Sequence, residues 1–231
     1  MKKRICEFFR KNIIINKKAL YQGFFYEKTS SIIKIMNKRG EQMKTKELTL
    51  CALFSALIVV GAFLQIEIPL PLYTMHFTLQ WFFVLMAGFL LGAKLGTMSV
   101  VVYLCLGLVG LPVFAAGGGP AYVLRPGFGF LLGFLLAVFL IGYLSQKWNV
   151  TGFWKGLLVA VIGELAYYGV GAIYFYMMKN LYAGEAVSWK VVVVNYCLIT
   201  VLPDFILCVL AVILSLRLRP LLQKNIFTES R

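Results

Sequence analysis

GLPVFAAGGGPAYVLRPGFG, residues 110–129, decides how the chain must be read. It holds prolines at 112, 120 and 126, a glycine run at 117–119, and a single charge, Arg125. Proline removes a backbone donor and fixes φ, so no uninterrupted helix crosses this stretch. Apolar runs of membrane grade flank it on both sides. The stretch is therefore either a tight crossing between two helices or part of a compartment at a membrane surface.

Composition points to a bilayer. Of 231 residues, 61% are hydrophobic before the 21 glycines are added, and only 14% are charged. The mean hydropathy is +0.84. A soluble globule needs more charge for its surface, so the chain reads as an integral membrane protein whose length suits one bundle of spans. A formal charge of +14 raises the question of nucleic acid. Its distribution argues for lipid instead: residues 1–43 hold 11 Lys or Arg against 3 Glu, and the other basic residues mostly flank apolar runs. No basic surface interleaved with aromatic residues suggests a nucleic-acid partner. Cys6, Cys51, Cys105, Cys197 and Cys208 are dispersed without a CxxC, and His76 is the only histidine, so metal-site and disulfide spacings are lacking. The cysteines read as small packing residues.

Organisation follows from the apolar runs. Residues 1–43 form a basic extension with clusters too short to span and no signal-peptide core; it reads as poorly ordered or lying on the membrane surface. Met43 resembles a natural start. Residues 44–219 form a membrane domain, and 220–231 a short cytoplasmic tail. Spans are predicted over about 48–66, 76–92, 97–111, 127–145, 154–178 and 190–216. The segment IPLPLY ends the first span because its prolines exclude regular helix, and the chain turns at residues 92–96 between the second and third. Six spans put both ends on one side. Lys94, Lys147, Lys155, Arg217 and Arg219 fall there with the basic start, the positive-inside pattern of a cell-membrane protein with cytoplasmic termini. Arg125, Lys179 and Lys190 fall outside. The expected fold is an all-α integral membrane protein, a compact six-transmembrane-helix bundle with partly buried outer loops. Buried loop backbone must find partners in protein or in a water-filled cavity, and glycines 117–119 permit positive φ and close approach.

Residues from Pro69 through TLQ (78–80), AG (87–88), LG (91–92), YLCLGLVGLPVFAAGGG and RPGFGFLLGF resemble the BioY family. These proteins are biotin-specific substrate-binding components of energy-coupling-factor transporters, and the resemblance covers about residues 46–219. It implies six helices with outer loops closing over biotin, and partnership with a transmembrane coupling subunit and two cytoplasmic ATPase subunits. The family commonly has an Asp in its last helix and a Lys three residues later. Asp204 matches the first, and Leu207 stands where the second is expected.

That resemblance gives the polar residues a ligand to be weighed against. Biotin joins an uncharged ureido-thiophane bicycle to an anionic tail, so a site needs hydrogen-bonding groups for the ureido end and apolar walls for the ring. Gln80 offers both donor and acceptor; it is read either as a ureido contact or as a polar lock between helices. Tyr103, Phe114 and Tyr167 are candidate walls, and Gly117, Gly118 and Gly119 a candidate cradle. Arg125 is read as an attractor of the carboxylate or as a solvent-facing charge. Asp204 is the expected anchor, because a carboxylate at mid-span costs about 2.5–3.5 kcal/mol and usually faces an interior or a water path. A structural partner such as Gln80 or Asn195 is the competing account. Glu164 reads as a structural polar group. Ala52 and Ala56, four apart on the first span, resemble the docking face for the coupling subunit.

An enzyme is not expected. There is no GxxxxGK[ST] phosphate loop, no GxSxG and no HExxH, so energy must come from partner ATPases. Neither a metal nor a cofactor is expected; biotin is the transported ligand. Alternatives are a substrate component for another small vitamin and a non-transport membrane structural protein.

Overall fold

The computed structural model describes residues 45–69, 74–194 and 199–222. The expectations for the basic extension, Asn195 and residues 223–231 lie outside them. In order, the elements are α1 (Thr45–Phe63), β1 (Gln65–Pro69), β2 (Thr74–Thr78), α2 (Gln80–Leu108), a 3-10 turn (Pro120–Leu124), α3 (Phe128–Lys147), α4 (Phe153–Met177) and α5 (Ile199–Leu222). A π turn, Met178–Tyr182, prolongs α4, and one helical turn, Trp189–Val192, precedes α5. Five stretches among the described residues are long and apolar enough to cross a membrane: Thr45–Phe63, Gln80–Leu108, Phe128–Lys147, Phe153–Tyr182 and Thr200–Pro220. The chain is a multi-pass α-helical membrane protein.

One region differs from the sequence expectation. The IPLPLY region is not a plain loop, because β1 and β2 form an antiparallel hairpin pairing Gln65 with Thr78 and Glu67 with His76. Proline bars helix there, yet it is tolerated at a strand end, so Pro69 can close β1. Within the expected last span, the described residues are helical over Trp189–Val192 and again over Ile199–Leu222.

The 29 residues of α2 are assigned as one helix, but they do not run straight. Gly92 has φ 77° and ψ −173°, a conformation essentially reserved for glycine. Gln80 and Tyr103, 23 residues apart, share a hydrogen bond of 2.6 Å. A straight helix would separate them by about 35 Å at 1.5 Å per residue. The chain must therefore fold back at Gly92. A Cβ there would also collide with the Gln146 amide at the end of α3.

The two ends of the bundle are thereby sorted. Near the Gly92 turn, the Cys51 thiol donates to the Leu95 carbonyl at 3.5 Å, and Arg219 donates to the Val150 carbonyl at 2.9 Å and to Ser145 Oγ at 3.3 Å. Lys94, Lys147, Lys155, Arg217 and Arg219 belong to this end. At the other end lie the hairpin and the glycine-rich loop, joined by Gln65 Nε2 donating to the Ala115 carbonyl at 3.1 Å. Lys179, buried, pairs there with Glu185 at 2.9 Å.

Glycine notches bring α3 and α4 together. A Cβ on Gly133 would lie 2.6 Å from the Tyr167 carbonyl, Tyr174 packs on Gly129, and the Phe130 ring packs on Gly171. In lipid, where no hydrophobic force joins helices, such close packing is what holds them. It also fixes where Phe130 and Tyr167 can point.

Replacing Gly92 with Ala should lower the unfolding free energy by about 1–3 kcal/mol, from backbone strain and the Gln146 contact together. Gly169→Ala is the control, since a Cβ on Gly169 meets nothing within 4 Å. Denaturant unfolding in micelles checks the pair, and equal stability of the two variants would refute the fold-back constraint.

Candidate functional site

A cleft opens at the hairpin end, with a volume of about 600 Å³ including its mouth. The space within it that admits a water-sized sphere is far smaller, about 80 Å³, so the cleft is narrow beside the usual small-molecule site. The hairpin contributes His76 and Thr78, the start of α2 contributes Gln80, and the glycine-rich region contributes Ala115, Tyr122 and Gly127. Phe130, Leu131 and Phe134 of α3 and Tyr167 and Phe175 of α4 complete it. The lining residues are thus mostly aromatic and aliphatic, with polar groups supplied by His76, Thr78, Gln80 and two tyrosines.

Gln80 is the central polar group, 2% exposed. Its Nε2 donates to Tyr103 Oη at 2.6 Å, and its Oε1 accepts from Thr78 Oγ1 at 3.2 Å. A primary amide has two N–H donors and two acceptor sites on oxygen. One of each is used, so one donor and one acceptor remain on an amide that lines the cleft. Tyr103 locks Gln80 in place without using up its capacity.

An aromatic cluster forms the adjoining wall. The Tyr167 ring stacks on Trp81 at 4.8 Å and on Phe134 at 5.1 Å, both at 16° between planes. Offset stacking of this kind suits the ring quadrupoles and presents a flat apolar surface. Behind Gln80, a second aromatic series runs from Tyr103 to Phe114 at 5.4 Å, then to Tyr122 at 4.6 Å. It continues through Phe128 to Tyr174, whose hydroxyl donates to the Val123 carbonyl.

The residues expected from sequence therefore separate. Gln80 and Tyr167 line the cleft. Tyr103 and Phe114 are fully buried behind it. Gly117, Gly118 and Gly119 are not among its lining residues. Gly119 N–H donates to the Gly107 carbonyl at 2.8 Å, and a Cβ on Gly118 would strike the Leu111 carbonyl. Their close approach is to the end of α2, and it folds the loop. Arg125 is exposed, its guanidinium 5.2 Å from the centre of the Tyr122 ring. Asp204 is 3% exposed and accepts from Tyr168 Oη at 2.5 Å, while the same hydroxyl meets Thr200 Oγ1 at 2.8 Å. It does not line this cleft, and the partner seen for it is Tyr168 rather than Gln80. Glu164 Oε2 takes a long contact from the Cys208 thiol, 3.6 Å, and its Oε1 is buried without a hydrogen bond.

Sequence reasoning missed His76, Thr78, Phe130 and Phe134. Alternation along β2 was the available signal, since His76 and Thr78 are two apart and so share one side of an extended chain. Phe130 and Phe134 are four apart on α3, a single helical face. No three His, Cys, Asp or Glu side chains among the described residues are grouped to hold a metal.

Removing the Tyr168 hydroxyl should expose the role of Asp204. Tyr168→Phe leaves a buried carboxylate short of its donor and should destabilise the fold by about 1–3 kcal/mol. Tyr182→Phe, at a side chain 64% exposed, should change little. Unfolding curves of the two variants check this; equal curves would mean that Asp204 is held by other groups.

Comparison with known proteins gives four concordant likenesses. A family model described as the BioY family matches residues 36–224. A probable biotin transporter BioY from Lysinibacillus sphaericus is 41% identical over 178 residues, covering 77% of this chain and 89% of the relative. The biotin transporter BioY of Thermotoga maritima is 42% identical over 133 residues, or 57% of this chain and 76% of the relative. Among solved structures, the S-component for biotin from an ECF-type ABC transporter superposes with a TM-score of 0.69 at 31% identity, covering 78% of this chain and 95% of that one.

Proposed function

The chain belongs to the BioY family, and from that membership we propose that the cleft beside Gln80 is where it captures biotin. The protein is a biotin-binding substrate component of an energy-coupling-factor transporter, and it is not an enzyme. One observation carries the assignment of the cleft. The Gln80 amide keeps a free donor and a free acceptor on one planar group, and a ureido group offers the complementary C=O and N–H side by side. Two parallel hydrogen bonds then fix the bicycle, and the Tyr167 wall covers its apolar faces.

The remaining residues take supporting parts in this reading. Tyr103 orients Gln80, and Phe114 holds Tyr103 from behind. Glycines 117–119 let the loop fold against α2, which brings Ala115 and Tyr122 to the cleft. Arg125 adds positive potential near the mouth. Asp204 acts through Tyr168, whose ring lies 4.8 Å from that of Tyr167. The anchor role expected for Asp204 passes to Gln80.

The bundle crosses the membrane six times, because α2 counts as two crossings folded at Gly92. Both termini are cytoplasmic; the support is the gathering of Lys94, Lys147, Lys155, Arg217 and Arg219 at one end. The face of α1 bearing Ala52 and Ala56, both exposed, docks on the transmembrane coupling subunit, which links it to two cytoplasmic ATPases. Small side chains there permit close helix approach.

Gln80→Ala should weaken biotin binding roughly 10-fold or more, given about 0.5–1.5 kcal/mol per neutral hydrogen bond and 1.4 kcal/mol per tenfold. Asp204→Asn should cost less. Equilibrium binding of labelled biotin, with thiamine and riboflavin as controls, ranks the two; unchanged affinity in Gln80→Ala would remove the cleft assignment. Ala52→Trp with Ala56→Trp should reduce co-purification with the coupling subunit while biotin affinity is kept. Undiminished assembly would clear this face.

A further inference from the structure

Past the π turn at the end of α4, residues 181–190 are exposed except for Val187. One apolar point of attachment cannot fix a loop of that length, so its path rests on polar contacts. Glu185 N–H donates to the Lys179 carbonyl at 3.0 Å, and Lys179 Nζ donates to the Glu185 carboxylate at 2.9 Å. Gly184, with φ 69°, lets the chain turn just before Glu185. Asn180 then grips the returning chain. Its Oδ1 accepts from Val187 N–H at 3.0 Å, and its Nδ2 donates to the Val187 carbonyl at 3.1 Å and to the Tyr176 carbonyl at 3.0 Å. The Val187 N–H is shared with the Glu185 carbonyl at 2.9 Å, whereas the Val187 carbonyl is met by Asn180. A primary amide carries acceptor and donor on one plane, which suits both polar groups of a single residue. What this clasp positions is a wall of the cleft. Val187 belongs to one buried cluster with Val192, Ala172 and Phe175, and Phe130 packs against it. Phe175 and Phe130 line the cleft. Phe175 is 0% exposed, so its ring lies where its packing neighbours leave room.

We propose that Asn180 is a positioning residue for ligand capture: by clasping Val187 it seats that side chain in the cluster around Phe175 and so sets the aromatic wall for a fused bicycle. The proposal rests on the reading of the cleft as the biotin site. Asn180 is not among the lining residues and acts through Val187 and Phe175. The narrowness of the cleft gives this placement its consequence. In a tightly packed site, a small shift of one ring changes what fits. The apolar part of the ligand feels that shift, while the hydrogen-bonded part is held by Gln80, which Tyr103 fixes separately. Desthiobiotin tells the two parts apart. It keeps the ureido group and the carboxylate tail and lacks the sulfur bridge that closes the second ring.

The test uses the full chain in detergent or nanodiscs, with labelled biotin displaced by biotin or by desthiobiotin. The ratio of the two affinities is read, because a variant that merely folds less well loses sites without changing it. Asn180→Ala should bind biotin roughly 3- to 10-fold more weakly and desthiobiotin less than about 2-fold more weakly, as expected for part of a ring's contact with an apolar wall. Asn180→Asp, which keeps an acceptor for the Val187 N–H and loses the donated bonds, should move the ratio in the same direction by less. Val187→Ala keeps the clasp and removes its apolar load, and should reproduce the Asn180→Ala ratio. Leu181→Ala, next in the chain and 79% exposed, should match the parent. A ratio that stays at the parental value in the folded Asn180 variants or in Val187→Ala, or that Leu181→Ala moves as far, overturns the role of Asn180; the cleft stands as long as Gln80→Ala weakens biotin binding. Unchanged biotin affinity in Gln80→Ala removes the cleft and this inference together.

Discussion

The reversal at Gly92 sets Gln80 beside Tyr103, and the hairpin end of the molecule is arranged around that pairing. A hydrocarbon environment offers no water to a stray amide, so the two side chains satisfy one another across the fold-back. The 2.6 Å bond fixes the register of the two arms of α2 as well as the direction of the Gln80 amide. Ser55 adds a lock nearer the turn, donating to the Ser99 carbonyl at 2.7 Å and so binding α1 to the returning arm.

From that pairing outward, shape is built by contrasts of size. Phe114 lies on Gly107, Tyr174 on Gly129 and Phe130 on Gly171, so each large ring meets a residue with no side chain. Helices thereby approach closely enough for dispersion to hold them, and the aromatic residues are left with few orientations. A rigid wall requires no ordering when a ligand arrives, which favours tight binding. On α5, Thr200, Asp204 and Cys208 recur at intervals of four and form one inner face. Tyr168 and Glu164, also four apart on α4, meet that face, so the polar groups buried in the bundle bond mainly to one another.

Much of this was legible in the residues. Apolar runs located the membrane helices, the turn at 92–96 was marked by its glycines, and the family motif fixed the kind of ligand. Gln80 and Tyr167 could be picked out because amide chemistry and a helical face are local properties. Asp204 was harder: its partner Tyr168 is 36 residues away in the chain, and no spacing rule pairs two helices. The glycine run was read as an approach to ligand, whereas Gly118 and Gly119 approach Leu111 and Gly107, a choice that only the path of the chain decides. The hairpin was hidden because prolines ended the helix reading at the point where strand alternation should have been sought. His76 reaches the cleft by way of that missed strand.

The contact between Gln65 and the Ala115 carbonyl has a kinetic side. It ties the hairpin to the glycine-rich loop, the two segments that frame the mouth, by a bond of the kind worth about 0.5–1.5 kcal/mol. Parting them is thus a small, local event that leaves the helices undisturbed. The rim of the cleft and the helix bundle are held by different contacts, and the first can be altered with little effect on the second.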